Sequence, residues 1–562
     1  MLKLKYILIV SFFAFSALSA RAQTPTQSPE NISVPAIAPD YRSDDRRLPD
    51  LGRVGVDGTE HRALTLKEAI ELALDNNRDI EVSRKTVTMA EFELKATRGA
   101  FQARLTGQAY YDRTTTPNVS IFTSNQKSTL GSVLGNVSIS AESEKFGTVA
   151  TASLNNQRVT SDNPISVLSP QYNAFMGFSL TQPLFRGRRT DSIRRGLEIA
   201  KRNIALTDTQ FRQRSIETIA TVERAYWDLT FALRNLQVQR DAVRDAKAQL
   251  AHNRRLVDEG QLAPIDIVAV ETQVANFEQA VYDALNTVNV AENLLKNLIA
   301  PNRTDAIWNH SVTPIEPVEV TVPATSLTEA MDTALANRPE LDINNVQKEI
   351  NLIDQKLYRD QKKPQIDLIA NFAETGIGGS PNPNFSPNFP TACSTNPASP
   401  ACQTQLANLA LLTGNPYRGV FAHRYPTFRL GISFNIPLFG DKAAAAQLGR
   451  SLVEAERIAT QREQIEQGIQ VEVRNALQLV RTTEARLRSA AIARENLARQ
   501  YDSERRKLDA GQSEIYKVLE RQTALAAAQS NELRSRTELN KAIAELQRAM
   551  GNTLKANDVE IR

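Results

Sequence analysis

The sequence predicts a mainly helical protein that ends in membrane β-strands. Its architecture is a long antiparallel α-helical coiled coil capped by a β-barrel that one chain cannot close alone. Three observations predict this. The chain repeats one order of elements twice. Each repeat contains a stretch of roughly 70 residues with apolar positions at coiled-coil spacing. Each repeat also holds two runs of about ten residues in which apolar and polar side chains alternate, the length of a tilted membrane strand.

Composition narrows the field first. The chain has 562 residues, with Lys+Arg 67 against Asp+Glu 63 and a formal charge of +4. That balance argues against a strongly basic nucleic-acid binder and against an acidic disordered tail. Hydrophobic content is 41%. Only the N-terminus approaches an apolar run of about 20 residues, so a polytopic helical membrane protein is excluded. With Cys 2 and His 4 there is neither a disulfide scaffold nor an evident metal cage.

From the N-terminus, Lys3 and Lys5 precede the apolar run Tyr6 to Ala20, and Ala20-Arg21-Ala22 is a small-residue cleavage site. Residues 1–22 read as a secretory signal peptide, with a retained anchor helix as the rival. Residues 23–61 carry Pro25, Pro29, Pro35, Pro39 and Pro49 without periodicity and read as a flexible extension.

The duplication relates residues 62–300 to residues 326–550. Leu66-Lys67-Glu68-Ala69 and Ala73-Leu74-Asp75-Asn76 return as Leu327-Thr328-Glu329-Ala330 and Ala334-Leu335-Ala336-Asn337. Gln182-Pro183-Leu184-Phe185 returns as Ile436-Pro437-Leu438-Phe439, and Gly260-Gln261 as Gly511-Gln512. Each half reads helix, strand, strand, very long helix, turn, helix. In the first half these are Thr65 to about Ala100, Ala103–Asp112, Phe175–Phe185, Arg188 to about Asp258, and a helix to about Ile299 that starts at Pro264. In the second they are Ser326–Lys362, Pro364–Glu374, Thr427–Leu438, Asp441–Asp509 and Ser513–Met550.

Leu448, Leu452, Ala455 and Ala459, then Ile469, Val473, Ala476 and Val480, step by +4, +3 and +4, a coiled-coil seam. A helix of about 70 residues is about 105 Å long. The two shorter helices of each half together match that length, so they stack end to end against it. Among the strands, Phe428, Leu430, Ile432, Phe434 and Ile436 alternate with Arg429, Gly431, Ser433 and Asn435. Four strands per chain cannot close a barrel, and open sheet edges are not tolerated in lipid. Oligomerisation follows: two copies give eight strands and three give twelve, and packing many helices of about 100 Å around a wall favours the wider barrel.

With the repeat, the Pro-Leu-Phe strand ends and the paired tip segments in place, the chain resembles the outer-membrane efflux (TolC) family from about Leu64 onward. The tips read Arg255-Leu256-Val257-Asp258-Glu259-Gly260 with Ile265-Asp266-Ile267-Val268, and Arg506-Lys507-Leu508-Asp509-Ala510-Gly511 with Tyr516-Lys517-Val518-Leu519. The resemblance implies a homotrimer in outer-membrane lipid, sharing a 12-strand barrel and a helical periplasmic tunnel. It implies an exit duct of a tripartite efflux or type I secretion system, partnered by a periplasmic adaptor (membrane fusion) protein and an inner-membrane pump, without nucleic acid. Residues 301–325 and the tail 551–562 then form an equatorial belt. Ala103 stands where the family often has Pro, and the inter-strand segments 113–173 and 376–426 are long. The first of these contains strand-like pieces around Val137–Ser140 and Val149–Leu154.

The same resemblance places the gate and the docking surface at the helix tips. The family pattern puts an acid six positions after the turn glycine, and in the second half another nine after. Asp266 and Glu520 fit. Lys517 stands where an acid is expected, which suggests an Asp266–Lys517 latch instead. Asp266, two residues after Pro264, also suits a helix N-terminus on electrostatic grounds alone. Arg255, Gly260, Arg506 and Gly511 are the adaptor-docking candidates.

No catalytic, cofactor or metal site is legible, and no enzyme is expected. There is no Walker A sequence. Gly376-Ile377-Gly378-Gly379 follows a strand without opening a helix and reads as a loop. His61, His252, His310 and His423 lack metal-ligand spacing. Cys393 and Cys402 lie in a Pro/Ser/Asn-rich segment of an exported chain, where oxidising surroundings favour a disulfide in an extracellular loop. The rival function is a periplasmic coiled-coil adaptor or scaffold, which has no use for alternating strands.

Overall fold

The structure, a computed structural model, describes residues 52–118, 126–261, 263–318, 322–385 and 391–560. The signal-peptide reading and most of the extension lie outside them. Strand β1 (Asp57–Leu64) leads into helices α1 (Leu66–Asn76) and α2 (Arg78–Arg98). Strands β2 (Arg104–Pro117), β3 (Lys127–Glu142), β4 (Val149–Ser161) and β5 (Leu168–Pro183) follow. Then come the long helix α3 (Ser192–Asp258), α4 (Pro264–Ile299) and strand β6 (His310–Pro314). The second half runs α5 (Leu327–Asn337), α6 (Pro339–Gln361), β7 (Gln365–Pro381), three short helices α7 (Ala392–Thr395), α8 (Pro400–Leu412) and α9 (Tyr417–Phe421), and β8 (Pro426–Asn435). It ends with α10 (Lys442–Asp509), α11 (Ile515–Ala549) and α12 (Thr553–Ala556).

Local chemistry sets the helix ends. Thr65, Asn77, Asp191, Ser326 and Asp441 each accept a backbone N–H at the start of a helix, which satisfies an otherwise orphaned donor. Pro264 and Pro339 occupy the first helical turn, where a missing N–H costs nothing. The helices expected over Thr65–Ala100 and Ser326–Lys362 are each interrupted once. Asn77 and Arg338 leave the helical region and start a second helix. Asn77 does so by capping the next helix with its own oxygen, while its amide donates to the Leu298 carbonyl.

The helices pack as the length comparison requires. At 67 and 68 residues, α3 and α10 each span about 100 Å. α3 is flanked by α2 and α6 toward the sheet and by α4 and α11 toward the hairpin end, and α10 packs on α6 and α11. Duplicated positions carry duplicated cores. Val222, Ala225, Tyr226 and Leu229 are buried with Ala69 and Ala73 of α1. Val473, Ala476, Leu477 and Val480 are buried with Ala330 and Ala334 of α5.

Two sequence expectations need correction. First, β1 begins at Asp57 and pairs in parallel with β6, so residues 57–61 belong to a strand rather than to a flexible extension. Second, one chain supplies six strands to the main sheet, not four. The order is β2-β3-β4-β5-β7-β8, antiparallel throughout. The extra pair β3 and β4 lies within the long segment after β2. Only pieces of these strands are legible in the sequence, around Val137–Ser140 and Val149–Leu154, because Gly135 and Asn156 interrupt the apolar row beyond them.

Candidate conduit wall and hairpin tips

Side chains alternate across a strand, so register decides what each face presents. One row across all six strands reads Leu105, Ile139, Ala152, Phe178, Phe372 and Phe428. The neighbouring row on the opposite face reads Arg104, Ser140, Thr151, Ser179, Asn371 and Arg429. The large apolar residues of the first row are exposed. One face is suited to hydrocarbon and the other to water, the pattern of a membrane barrel wall.

Farther from the helices the apolar face changes character. Glu374, Gly376 and Gly378 continue its rows in β7, and there α9 lies on the strand. A side-chain carbon at Gly376 would collide with the Pro416 carbonyl, and one at Gly378 with the carbonyl of Gly414. Glu374 is fully buried and bonds His423 Nδ1 at 2.8 Å, and Tyr417 donates to Asn156 Oδ1 at 2.5 Å. The glycines read as a loop are therefore strand residues, made small by the segment packed on them. Cys393 and Cys402, just ahead of this cover, are joined in a disulfide with Cα atoms 4.6 Å apart.

At the opposite end α3 and α10 each stop in the same way. Gly260 (φ +74°) bonds Val257 O while Gln261 N reaches Leu256 O at 2.8 Å. Gly511 (φ +68°) bonds Leu508 O while Gln512 N reaches Lys507 O at 2.8 Å. This double bond pattern ends a helix with a left-handed residue, which only glycine adopts without strain. The two tips are packed together by Val270 of α4 with Leu508, Ile515, Val518 and Leu519. His252 Nε2 lies 3.4 Å from Asp509 Oδ1 across the same junction.

Within one chain the predicted tip residues are not joined as a latch, and all are exposed except Asp266, which is half-buried. Lys517 pairs with Glu514 of its own helix at 3.5 Å and lies over the Tyr516 ring. The Glu514 charge, then the Tyr516 hydroxyl, raises the Lys517 pKa. Asp266 sits in the first turn of α4, and within the chain it makes no ion pair with Lys517. Glu520, Arg255 and Arg506 are exposed, and Arg506 donates to the Asp502 carbonyl. Sequence reasoning missed Glu504. It accepts from Ser513 and lies 3.3 Å from Lys507, closing the second tip. Its pKa is lowered first by the Ser513 hydroxyl. The Ser two positions after Gly511 was the available signal.

At mid-length a buried polar cluster fixes the β1–β6 ribbon to α4. Glu292 and Lys296 are fully buried. Glu292 takes Arg53 Nη1 at 2.7 Å and the Val312 N–H at 2.8 Å, while Lys296 donates to the Trp308 carbonyl at 3.1 Å. Among the described residues no group of His, Cys, Asp and Glu is placed to hold a metal ion.

The model of the family described as outer membrane efflux protein matches residues 69–300 and 330–552, the two repeats. The chain belongs to that family. Solved structures agree on the fold. The Campylobacter jejuni CmeC outer membrane channel is 15% identical over 87% of this chain and 86% of its own, with a TM-score of 0.58. The outer-membrane channel OprN is 16% identical over 92% and 98%, at 0.59. The open state of the Neisseria gonorrhoeae MtrE outer membrane channel is 14% identical over 87% and 89%, at 0.54. No protein of curated function matches the sequence. Membership makes this efflux protein an outer-membrane channel of the TolC type, in a family of channel proteins.

Proposed function

We propose that three copies form one passive exit duct, with a shared barrel in the outer membrane and a helical tunnel in the periplasm. An inner-membrane pump drives it through a periplasmic adaptor docked at the Gly260 and Gly511 tips. The reading extends to tripartite efflux and to type I secretion alike. One observation carries it: both layers of the chain end in bare edges on the same two sides. β2 and β8, the outer strands of the sheet, are exposed along their whole length. In hydrocarbon each unpaired backbone group costs several kcal/mol, so β8 of one copy has to meet β2 of the next. The helical layer is bare on the matching sides. Met89 and Phe92 of α2 point away from α3, and Val453 and Val471 of α10 point away from α6 and α11. Such a head-to-tail surface closes into a ring rather than a pair.

The test is fractionation with migration in detergent gels. The full-length protein is expected in the outer-membrane fraction as a trimer that collapses to a monomer on heating. Recovery as a soluble periplasmic monomer would sink the duct and restore the scaffold reading.

A further inference from the structure

We propose that the assembled barrel has eighteen strands, with the β3–β4 hairpin built into its wall in every copy. This rests on the trimeric duct argued above and goes beyond it, since the family resemblance implies four strands per copy. Three observations carry it. β2 and β5, adjacent in chain order in a four-stranded sheet, are held apart by β3 and β4. The ladder is unbroken from Arg104↔Ser140 to Pro117↔Lys127 and from Leu130↔Ser161 to Glu142↔Val149.

The inserted strands also carry both chemistries of the wall in register. Val137, Ile139, Ala152 and Leu154 extend the apolar face, while Asn136, Ser138, Ser153 and Asn155 extend the polar one. The polar face is knitted by Thr106 with Ser138 at 2.8 Å and by Asn136 with Asn155. A surface hairpin has no need of a continuous lipid-facing stripe. The turn between β3 and β4, finally, is fastened at the helical end of the sheet. Buried Arg194 at the start of α3 donates to the Lys145 carbonyl at 3.2 Å and to the Arg188 carbonyl at 2.8 Å, and pairs with Asp191 at 2.6 Å. Gln182 at the end of β5 donates to the Phe146 carbonyl at 3.2 Å.

The consequence is a wider exit. With strands about 4.8 Å apart and tilted about 40°, twelve give a backbone diameter of roughly 24 Å and eighteen roughly 36 Å. A ring of twelve helices about 9 Å apart, four from each copy at any level, is roughly 34 Å across. The larger barrel therefore continues the tunnel without a step, and its cross-section is about twice that of the smaller one. Passage is then limited at the hairpin tips and not at the membrane.

Single cysteines test this, because both native cysteines are already paired. In the full-length protein in outer-membrane vesicles, Ser138→Cys and Ser153→Cys are expected to react readily with a water-soluble maleimide. Val137→Cys and Ala152→Cys should react roughly ten-fold more slowly with it, yet normally with a lipid-soluble one. Heat-sensitive trimers are checked in each variant. Equal labelling of neighbouring positions in intact trimers removes the hairpin from the wall and overturns the eighteen strands alone. Loss of the trimer in the unsubstituted protein overturns the duct itself. Two positions on each strand guard against one variant failing to fold.

Discussion

Glu223 is an acid in the wrong place for charge. It lies in α3, 3% exposed, where Oε1 accepts from Asn557 Nδ2 at 3.0 Å and Oε2 has no partner. Burial pushes its pKa up from 4.5 to about 7, opposed by the Asn557 hydrogen bond and the Arg224 charge. The folded chain thus holds a proton that the unfolded chain releases. The stabilisation is full below about 4.5 and is lost as pH rises through about 7. Glu223→Gln keeps an acceptor for Asn557 and cannot ionise. It should stabilise the fold at pH 8 by about 1–3 kcal/mol per chain, seen as a higher thermal midpoint, and flatten stability between pH 5 and 7. Melting both proteins across that range checks this; equal slopes would show that Glu223 titrates as an ordinary surface acid. At the same scale the α4 pair Glu292 and Lys296 is buried but fully bonded, so it fixes the ribbon's position without leaving an orphaned charge.

At the scale of the element, the hairpin tips combine a rigid stop with solvent-facing charges. The glycine-ended bond pattern at Gly260 recurs at Gly511 and again at Gly551, where α11 ends. One device is used three times because each helix must reverse or release the chain abruptly. The charges around the tips are another matter. Exposed ion pairs are typically worth under about 1 kcal/mol, so one Asp266–Lys517 contact cannot hold a gate shut. In the proposed trimer, repetition around the ring would multiply the effect. In planar bilayers, Asp266→Ala and Lys517→Ala are each expected to raise closed-state conductance, with the double variant close to either single one. Unchanged conductance in the double variant, with trimers intact, would leave Asp266 as a residue that favours the α4 N-terminus and Lys517 as the partner of Glu514 alone.

At the scale of the whole molecule, the proposed ring makes the chain a segment of a wall with two complementary sides. Val471 of α10 is 57% exposed and Phe92 of α2 is 61% exposed, each on the flank away from its own helical neighbours. Val471→Glu or Phe92→Glu should therefore leave helical content unchanged and shift the purified protein from trimer toward monomer, read by native mass measurement. A trimer of undiminished stability in both variants would move the interface off these flanks.

The sequence by itself determined the two long helices, both hairpin tips and the existence of the four strands it recognised, although β2, β5 and β7 each run five to seven residues past an expected end. These depend on local rules: caps, glycine stops, and periods of two or of three and four residues. It also determined the family, because duplicated order is a property of the chain alone. The tertiary structure alone decided that β3 and β4 enter the sheet between β2 and β5. It alone decided that Gly376 and Gly378 are strand residues pressed by Pro416 and Gly414, and that Lys517 turns to Glu514. Each of those outcomes joins residues distant in sequence or chooses among several nearby partners. Such a choice is made by register and packing across elements, which no local window of residues contains.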